Sequence, residues 1–152
     1  MTERMRMYDV VPEGYKAVLG LEKYCRTHVD SVVYELVKLR ASVVNGCSFC
    51  TDMHSRDALA AGESSERLFA VAAWHDAVCF TEKERAALAL TDAVTRLGDA
   101  GVSDEVWAEA TKHWSEEEVA NLIMAIATIN VWNRIAITTR ATPAHKPAAT
   151  TG

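Results

Sequence analysis

Glycines and prolines divide the pattern of apolar and polar positions along the chain into segments of helical length. The β-branched pairs at Val32-Val33 and Val43-Val44 recur at helical spacing. No Asn-Gly or Asp-Gly dipeptide separates two alternating runs, as a β-hairpin would require, since Asn45-Gly46 leads into a cysteine and not into a strand pattern. The pattern therefore predicts an all-α fold in a single domain.

Polar capping residues predict where most of these helices begin. The caps are Asp30, Ser64 or Ser65, Ser103 and two capping boxes, Thr81 with Glu84 and Ser115 with Glu118. The predicted helices span about 15–26, 31–44, 47–62, a short segment after residue 65, 82–97, 104–113 and 116–139. Residues 142–152 hold two of the three prolines and little that is large and apolar. We therefore expect a helical domain over 1–141 and a flexible C-terminal tail over 142–152.

Composition and charge narrow the class of protein. The 152 residues suffice for one domain, and 49% apolar with 24% charged residues is ordinary for a globular chain. The net charge of −5 gives no general attraction to nucleic acid or anionic membranes. The N-terminus lacks the apolar core of a secretory signal, and the longest apolar run, Leu122–Ala127, is far shorter than the ~20 residues of a membrane helix. We expect a cytoplasmic protein with no nucleic-acid or membrane partner.

The most informative chemistry lies in the segment Cys47-Ser-Phe-Cys50-Thr-Asp-Met-His54. On a helix, Cys47, Cys50 and His54 share one face. Both cysteines follow Gly46 in a first helical turn, where unpaired N–H groups and the helix dipole lower a thiol pKa. Two cysteines three residues apart lie near disulfide distance, and such a bridge is readily reduced. The spacing indicates a redox-active pair, with His54 placed to relay a proton.

Other interpretations of the cysteines remain open on spacing alone. The pair can be buried by chance, since cysteine is commonly a core residue. A zinc site is a second alternative, in which His75 and Cys79 complete the ligand set. A thioredoxin fold is disfavoured because the chain has no β-α-β pattern. Cys25 and Cys79 have no nearby base in sequence, and we expect both to be small buried hydrophobes.

One polar stripe precedes the cysteines at helical spacing; its members are Ser31, Glu35, Lys38, Ser42 and Asn45. Spacing alone favours a solvated face on which Glu35 pairs with Lys38. The alternative is that the helix hairpin folds Glu35 against the cysteine face, where it orients His54. Asp57, three residues after His54, is a rival for that orienting role.

Glu35 followed by Cys47-x-x-Cys50-x-x-x-His54, within ELVKLRASVVNGCSFCTDMHSRDALAAGE, resembles the alkylhydroperoxidase AhpD-like branch of the carboxymuconolactone decarboxylase family. The resemblance continues through LFAVAAWHDAVCFTEKERAALALTDAVTRL and INVWNRIAI, and so covers about residues 12–139. It implies an AhpD-like helical bundle that assembles as a homo-oligomer, a trimer or hexamer. It also implies an antioxidant thiol peroxidase that needs no metal and no other cofactor.

The resemblance further implies a role for each matching residue. Cys50 corresponds to the peroxidatic cysteine, Cys47 to the resolving cysteine, and His54 with Glu35 to the proton relay. These roles imply a peroxide substrate and a dithiol reductant, either a protein or a lipoyl-type group. They also favour the orienting role of Glu35 over the solvated face.

Phe49 departs from the family pattern, because some peroxidase members carry a histidine directly before the second cysteine. A phenylalanine transfers no proton, so we expect it to pack in the core or the substrate channel and to weaken or narrow the peroxidase activity. A low-turnover redox sensor or disulfide oxidoreductase is an alternative function. A decarboxylase-like enzyme that acts on a carbon acid or lactone is another, although that branch of the family lacks the cysteine pair.

The remaining aromatic and polar signals favour structural roles. We expect Trp132, Asn133 and Arg134 on the last helix to serve packing and subunit contact. The other tryptophans are expected in the core or at an interface; these are Trp74, Trp107 and Trp114.

Overall fold

A computed structural model describes residues 2–142 of the protein, and within that range the chain forms eight α-helices and no strand. The helices are α1 (Met7–Val10), α2 (Pro12–His28), α3 (Ser31–Asn45), α4 (Ser48–Ala60), α5 (Ser65–Ala70), α6 (Glu82–Thr95), α7 (Asp104–His113) and α8 (Glu116–Thr139). A 3₁₀ turn, Val71–Ala73, extends α5. The all-α prediction is confirmed. The predicted flexible tail lies outside the described residues except for Thr142.

Local capping explains why most helix starts match their predicted positions. The Asp30 carboxylate accepts the N–H groups of Val32 and Val33, and both predicted capping boxes are present, at Thr81 and at Ser115. The start of α2 was predicted three residues too late, because Pro12 occupies the first helical turn, where its missing N–H costs nothing. The short helix α1 was not predicted.

Helix α3 lies at the centre of the fold and contacts α4, α6 and α8. Val33 and Val37 join the hydrophobic cluster formed with α6, α7 and α8. Leu36 and Leu39 join a second cluster with α4, α5 and α6. Because both sides of α3 are covered in this way, the polar residues between these positions are buried as well.

Helix α8 is the one helix in residues 2–142 that could cross a membrane by length and composition alone. Half of its most apolar 18-residue window is buried inside the fold, as is usual for the core helix of a globular domain. Of the three tryptophans expected in the core or at an interface, Trp74 and Trp114 lie in the core and Trp107 is about half exposed.

Gly46 sets the angle between α3 and α4, because it ends α3 with a left-handed backbone conformation (φ 69°). A Gly46→Ala variant is expected to lose about 1 kcal/mol of unfolding free energy, since an L side chain is strained at this φ. Gly20→Ala is the matched control. Gly20 lies inside α2 with nothing within 4 Å of an added Cβ, and its replacement should stabilise the protein by about 0.5–1 kcal/mol.

Chemical denaturation of both glycine variants measures the difference in unfolding free energy. If the two alanine variants changed stability by the same amount and sign, the assigned role of the Gly46 backbone conformation would be wrong.

Candidate active site

The two cysteines of the Cys-x-x-Cys segment lie at the N-terminus of α4. Cys47 is the N-cap residue, and its Sγ accepts the N–H of Cys50 at 3.4 Å. Its own N–H donates to the Ser42 carbonyl on α3, which anchors this corner. Both thiols are free and almost completely buried. The predicted placement of the pair at a helix start is therefore confirmed.

The two thiols share a hydrogen bond that makes them electrostatically unequal. The Cys50 S–H donates to the Cys47 sulfur, and this bond, aided by backbone N–H groups, outweighs burial and lowers the pKa of Cys47 to about 7. The same bond, with burial and the charge of Cys47, raises the pKa of Cys50. In the reduced protein the anion accordingly resides on Cys47 and the proton on Cys50.

His54 and Glu35 form a buried hydrogen-bonded pair between α4 and α3, with 2.9 Å between Nδ1 and Oε2. An ionised carboxylate can only accept, so Nδ1 carries a hydrogen, and in the neutral imidazole Nε2 then presents a lone pair. Nε2 is buried and has no hydrogen-bond partner in the described part of the chain. The tautomer inferred from this contact makes Nε2 a proton acceptor, and Glu35 is the group that orients it.

The solvated-face interpretation of the polar stripe is wrong, because the α3–α4 hairpin and α2 cover it. Lys38 is 1% exposed and bonds to Glu22 and Tyr34, not to Glu35. Glu22 also accepts the indole N–H of Trp132 at 3.0 Å. Burial would raise the pKa of Glu22, but the charge and hydrogen bond of Lys38 lower it. This buried pair ties α2 to α3 beside the thiols.

A cavity of about 450 Å³ opens onto this corner of the fold. Cys50 and His54 both line it, whereas Cys47 does not. Phe49 contacts the cluster around the cysteines and also lines the cavity, as expected for a residue of the core or substrate channel. Trp132 forms part of the wall, and its ring lies edge-on to Tyr15 with 5.0 Å between centroids. Of the two cysteines, Cys50 is the one that lines the cavity.

The N-terminal segment closes one side of the cavity. The backbone N–H of Arg4 donates to the Thr139 carbonyl at 2.8 Å, and its guanidinium donates to the Thr138 carbonyl. These bonds fasten residues 3–8 across the end of α8. The sequence did not indicate this contact, because it joins positions about 135 residues apart.

One group of potential metal ligands is found among residues 2–142, formed by Glu35, His54 and Asp57 with donor atoms within 4.8 Å of one another. Asp57 is exposed, and it lies close enough to His54 to act as the rival orienter, but Glu35 is the residue with the direct hydrogen bond. Neither Cys47 nor Cys50 belongs to this group. His75 is exposed and pairs with Asp92, so it does not complete a zinc site with the cysteines.

The two remaining cysteines differ from each other. Cys25 is buried as predicted, with its sulfur 3.6 Å from the Thr128 hydroxyl, and burial raises its pKa. The prediction for Cys79 was wrong, because the loop between α5 and α6 leaves this residue exposed.

The family model of the carboxymuconolactone decarboxylase family matches residues 11–93, more than half of the chain and the part that carries the thiol pair and the Glu35–His54 contact. The chain belongs to the carboxymuconolactone decarboxylase family. The matched range runs from α2 into α6 and thus includes the whole α3–α4 corner.

Two relatives are similar to this chain over nearly its full length. Protein YdfG of Bacillus subtilis (strain 168) is 37% identical over 138 residues, which are 90% of this chain and 94% of YdfG. The crystal structure of ATU0492 from Agrobacterium tumefaciens, named as a candidate AhpD antioxidant defence protein, has a TM-score of 0.93 at 36% identity and covers 95% of this chain and 100% of that one.

A peroxidase-related protein from Ralstonia eutropha JMP134, with an alkylhydroperoxidase AhpD core, is similar to this chain in fold only. Its TM-score is 0.80 at 16% identity, with coverage of 90% of this chain and 74% of that one. The protein is thus an AhpD-like member of the carboxymuconolactone decarboxylase family. The trimeric or hexameric assembly expected from the sequence remains a prediction.

Proposed function

We propose that the protein is a thiol peroxidase that reduces organic hydroperoxides at Cys50 and stores the oxidising equivalent as a Cys47–Cys50 disulfide. The observation that carries the proposal is that the two cysteines differ in position and in pKa. Cys50 lines the cavity, where a substrate can reach it, while Cys47 is held behind it with a pKa near neutrality. The AhpD-like relatives support the same reaction class.

The first step is the reduction of the peroxide bond. The Cys50 proton passes to Nε2 of His54, the buried acceptor on the same cavity wall. The Cys50 thiolate then attacks the terminal oxygen of the hydroperoxide, so an S–O bond forms and the O–O bond breaks. The leaving alkoxide takes the proton from His54 and departs as an alcohol. Glu35 stabilises the imidazolium that exists between these two transfers.

The second step forms the disulfide. The Cys47 thiolate attacks the sulfur of the Cys50 sulfenic acid, and hydroxide leaves as water with the proton that Cys47 has released. Because the pKa of Cys47 is about 7, roughly half of it is ionised at neutral pH without help from another base. A dithiol, either a protein or a lipoyl-type group, then reduces the disulfide and restores both thiols.

Intact-mass analysis of the wild type after limiting organic hydroperoxide tests this proposal. The expected product is about 2 Da lighter, the mass of two hydrogens lost on disulfide formation, and a dithiol should restore the original mass. The rate of disulfide formation should rise with pH through a midpoint near 7 and then level off, because only the Cys47 thiolate attacks.

A Cys25→Ser, Cys79→Ser double variant serves as the control, since neither residue lies in the site, and it should show the same mass change. Stoichiometric oxidation without sustained turnover in the presence of dithiol would instead identify a redox sensor. Activity on a lactone that survived alkylation of the Cys47–Cys50 pair would contradict thiol chemistry altogether.

A further inference from the structure

Asn133 is a completely buried polar residue that the proposed mechanism does not yet use. It lies on α8 between Ile129 and Ala136, which belong to the hydrophobic cluster that contains both cysteines. Its carboxamide acts on both thiols as a hydrogen-bonding group that favours a lower pKa of Cys47 and of Cys50. The sequence favoured a packing role, but packing alone does not require a carboxamide against two thiols.

The hydrogen-bond partners of Asn133 determine which end of its carboxamide faces the sulfurs. Nδ2 of Asn45 donates to Oδ1 of Asn133 at 2.8 Å, so the oxygen end is occupied by a donor. Nδ2 of Asn133 donates to the Ser42 hydroxyl at 3.1 Å, which must accept because its own proton goes to the Lys38 carbonyl at 2.7 Å. The NH₂ group therefore has one N–H on Ser42 and a second N–H for sulfur.

A neighbouring asparagine fixes the same orientation independently. Nδ2 of Asn130 donates to the Thr95 hydroxyl and the Ile126 carbonyl, so Oδ1 of Asn130 is its accepting end. That oxygen accepts from Arg134 and from Nδ2 of Asn45 at 2.9 Å. Asn45 thus has two acceptors for its two N–H groups and can only present a donor to Asn133.

We propose that Asn133 is a catalytic residue whose NH₂ group is the hydrogen-bond donor that stabilises the thiolate on Cys47 and, after proton transfer, on Cys50. The proposal rests on the proposed thiol reaction and adds the group that stabilises its anions. A neutral amide N–H stabilises a thiolate without being able to protonate it. Because one side chain serves both sulfurs, the Cys50 thiolate of the first step and the Cys47 thiolate of the second step have the same donor.

The first test uses the wild type, labelled with a nitrogen isotope in its four asparagines. During a pH titration of the reduced protein, one side-chain N–H proton of Asn133 should shift with the same midpoint as the ultraviolet absorbance of the thiolate. In the disulfide form this pH dependence should vanish. An Asn133 signal that does not change when the thiols ionise would overturn the proposal. Because this test uses the wild type, its result does not depend on whether a variant folds.

The second test compares Asn133→Ala with Asn121→Ala in a Cys79→Ser background, which removes the exposed thiol. Loss of a donor to a charged sulfur should raise the midpoint of thiolate formation by about 1 pH unit or more. Asn121→Ala removes another buried asparagine of α8, which accepts from the Tyr24 hydroxyl and lies outside the Asn45–Asn133 network, so its midpoint should stay in place. Asn133→Asp, with the same shape and a negative oxygen, should shift the midpoint further than Asn133→Ala.

These readouts separate the two proposals. If the wild type forms no disulfide with peroxide but its thiolate signals follow Asn133 as described, the peroxidase function fails and the role of Asn133 in stabilising the anions stands. If peroxide turnover is present but the midpoints of the wild type, the Asn133→Ala variant and the Asn121→Ala variant coincide, the role of Asn133 fails and the peroxidase function stands.

Discussion

A Cys50→Ser variant is expected to lose sustained peroxide turnover by about 10³-fold or more, because a serine hydroxyl in this position is not ionised and cannot be oxidised to a sulfenic acid. Cys50 is the cysteine that lines the cavity, whereas Cys47 is buried and does not line it. The measurement is steady-state consumption of an organic hydroperoxide with excess dithiol, together with circular dichroism to verify the fold.

Cys47→Ser distinguishes the two sulfurs, because it should fail at a different step. This variant keeps the peroxidatic thiol and should reduce one equivalent of hydroperoxide, after which a sulfenic acid remains that a dimedone-type reagent can trap. Cys79→Ser, a thiol replacement at an exposed position outside the site, should retain wild-type turnover. A Cys50→Ser variant as active as the wild type would refute the mechanism, and trapping of the sulfenic acid on Cys47 would reverse the assigned roles.

The largest expected effect on stability comes from Arg40, which lies on α3 and is almost fully buried against Asp92 of α6. Its guanidinium donates to both carboxylate oxygens of Asp92, at 2.6 and 2.9 Å, and also to the backbone carbonyls of Val71 and Ala72. Burial would raise the pKa of Asp92, but Arg40 and the indole of Trp74 lower it below its ordinary value. One side chain thereby ties α3, the 3₁₀ turn and α6 together.

Arg40→Leu is expected to destabilise the protein by about 3–5 kcal/mol, because it leaves the Asp92 carboxylate and two carbonyls without their buried partner. For a domain of this size the midpoint of thermal unfolding should fall by roughly 10 °C. Lys16→Met is the matched control, since it removes a cation from an exposed pair with Glu13 on α2 and should change stability by less than about 0.5 kcal/mol. Equal effects of the two variants would show that the Arg40–Asp92 contact does not stabilise the fold.

The helices could be predicted from the sequence because their signals are local. A cap such as Asp30 and a capping box such as Thr81 with Glu84 satisfy N–H groups within the same four residues, so the pattern and the contact coincide. Gly46 likewise ends α3 through its own backbone conformation. The contact between Glu35 and His54 crosses two helices, and it was expected only from the resemblance to a family, since spacing alone favoured a solvated face.

The rest of the site depends on distances that no local pattern contains. Lys38 is buried because Glu22, sixteen residues earlier, lies beside it, and a helical wheel of α3 shows only that Lys38 and Glu35 are near each other. Asn133 acts on both cysteines in the fold although it follows Cys50 by 83 positions in the sequence. The sequence clue to Asn133 was the chemistry of its side chain and not its spacing. A carboxamide on the most apolar helix needs buried hydrogen-bond partners, and Asn45, just before the cysteine segment, is one of them.

Both ends of the described chain meet at the cavity, which has a practical consequence for anyone who produces the protein. Residues such as Met5 and Tyr8 line one side of it, and Ala141 and Thr142 line another. An affinity tag or a fluorescent reporter fused at the N-terminus would thus begin beside the opening that leads to Cys50. Kinetic constants should be compared between tagged and cleaved protein before any slow turnover is attributed to the cysteines themselves.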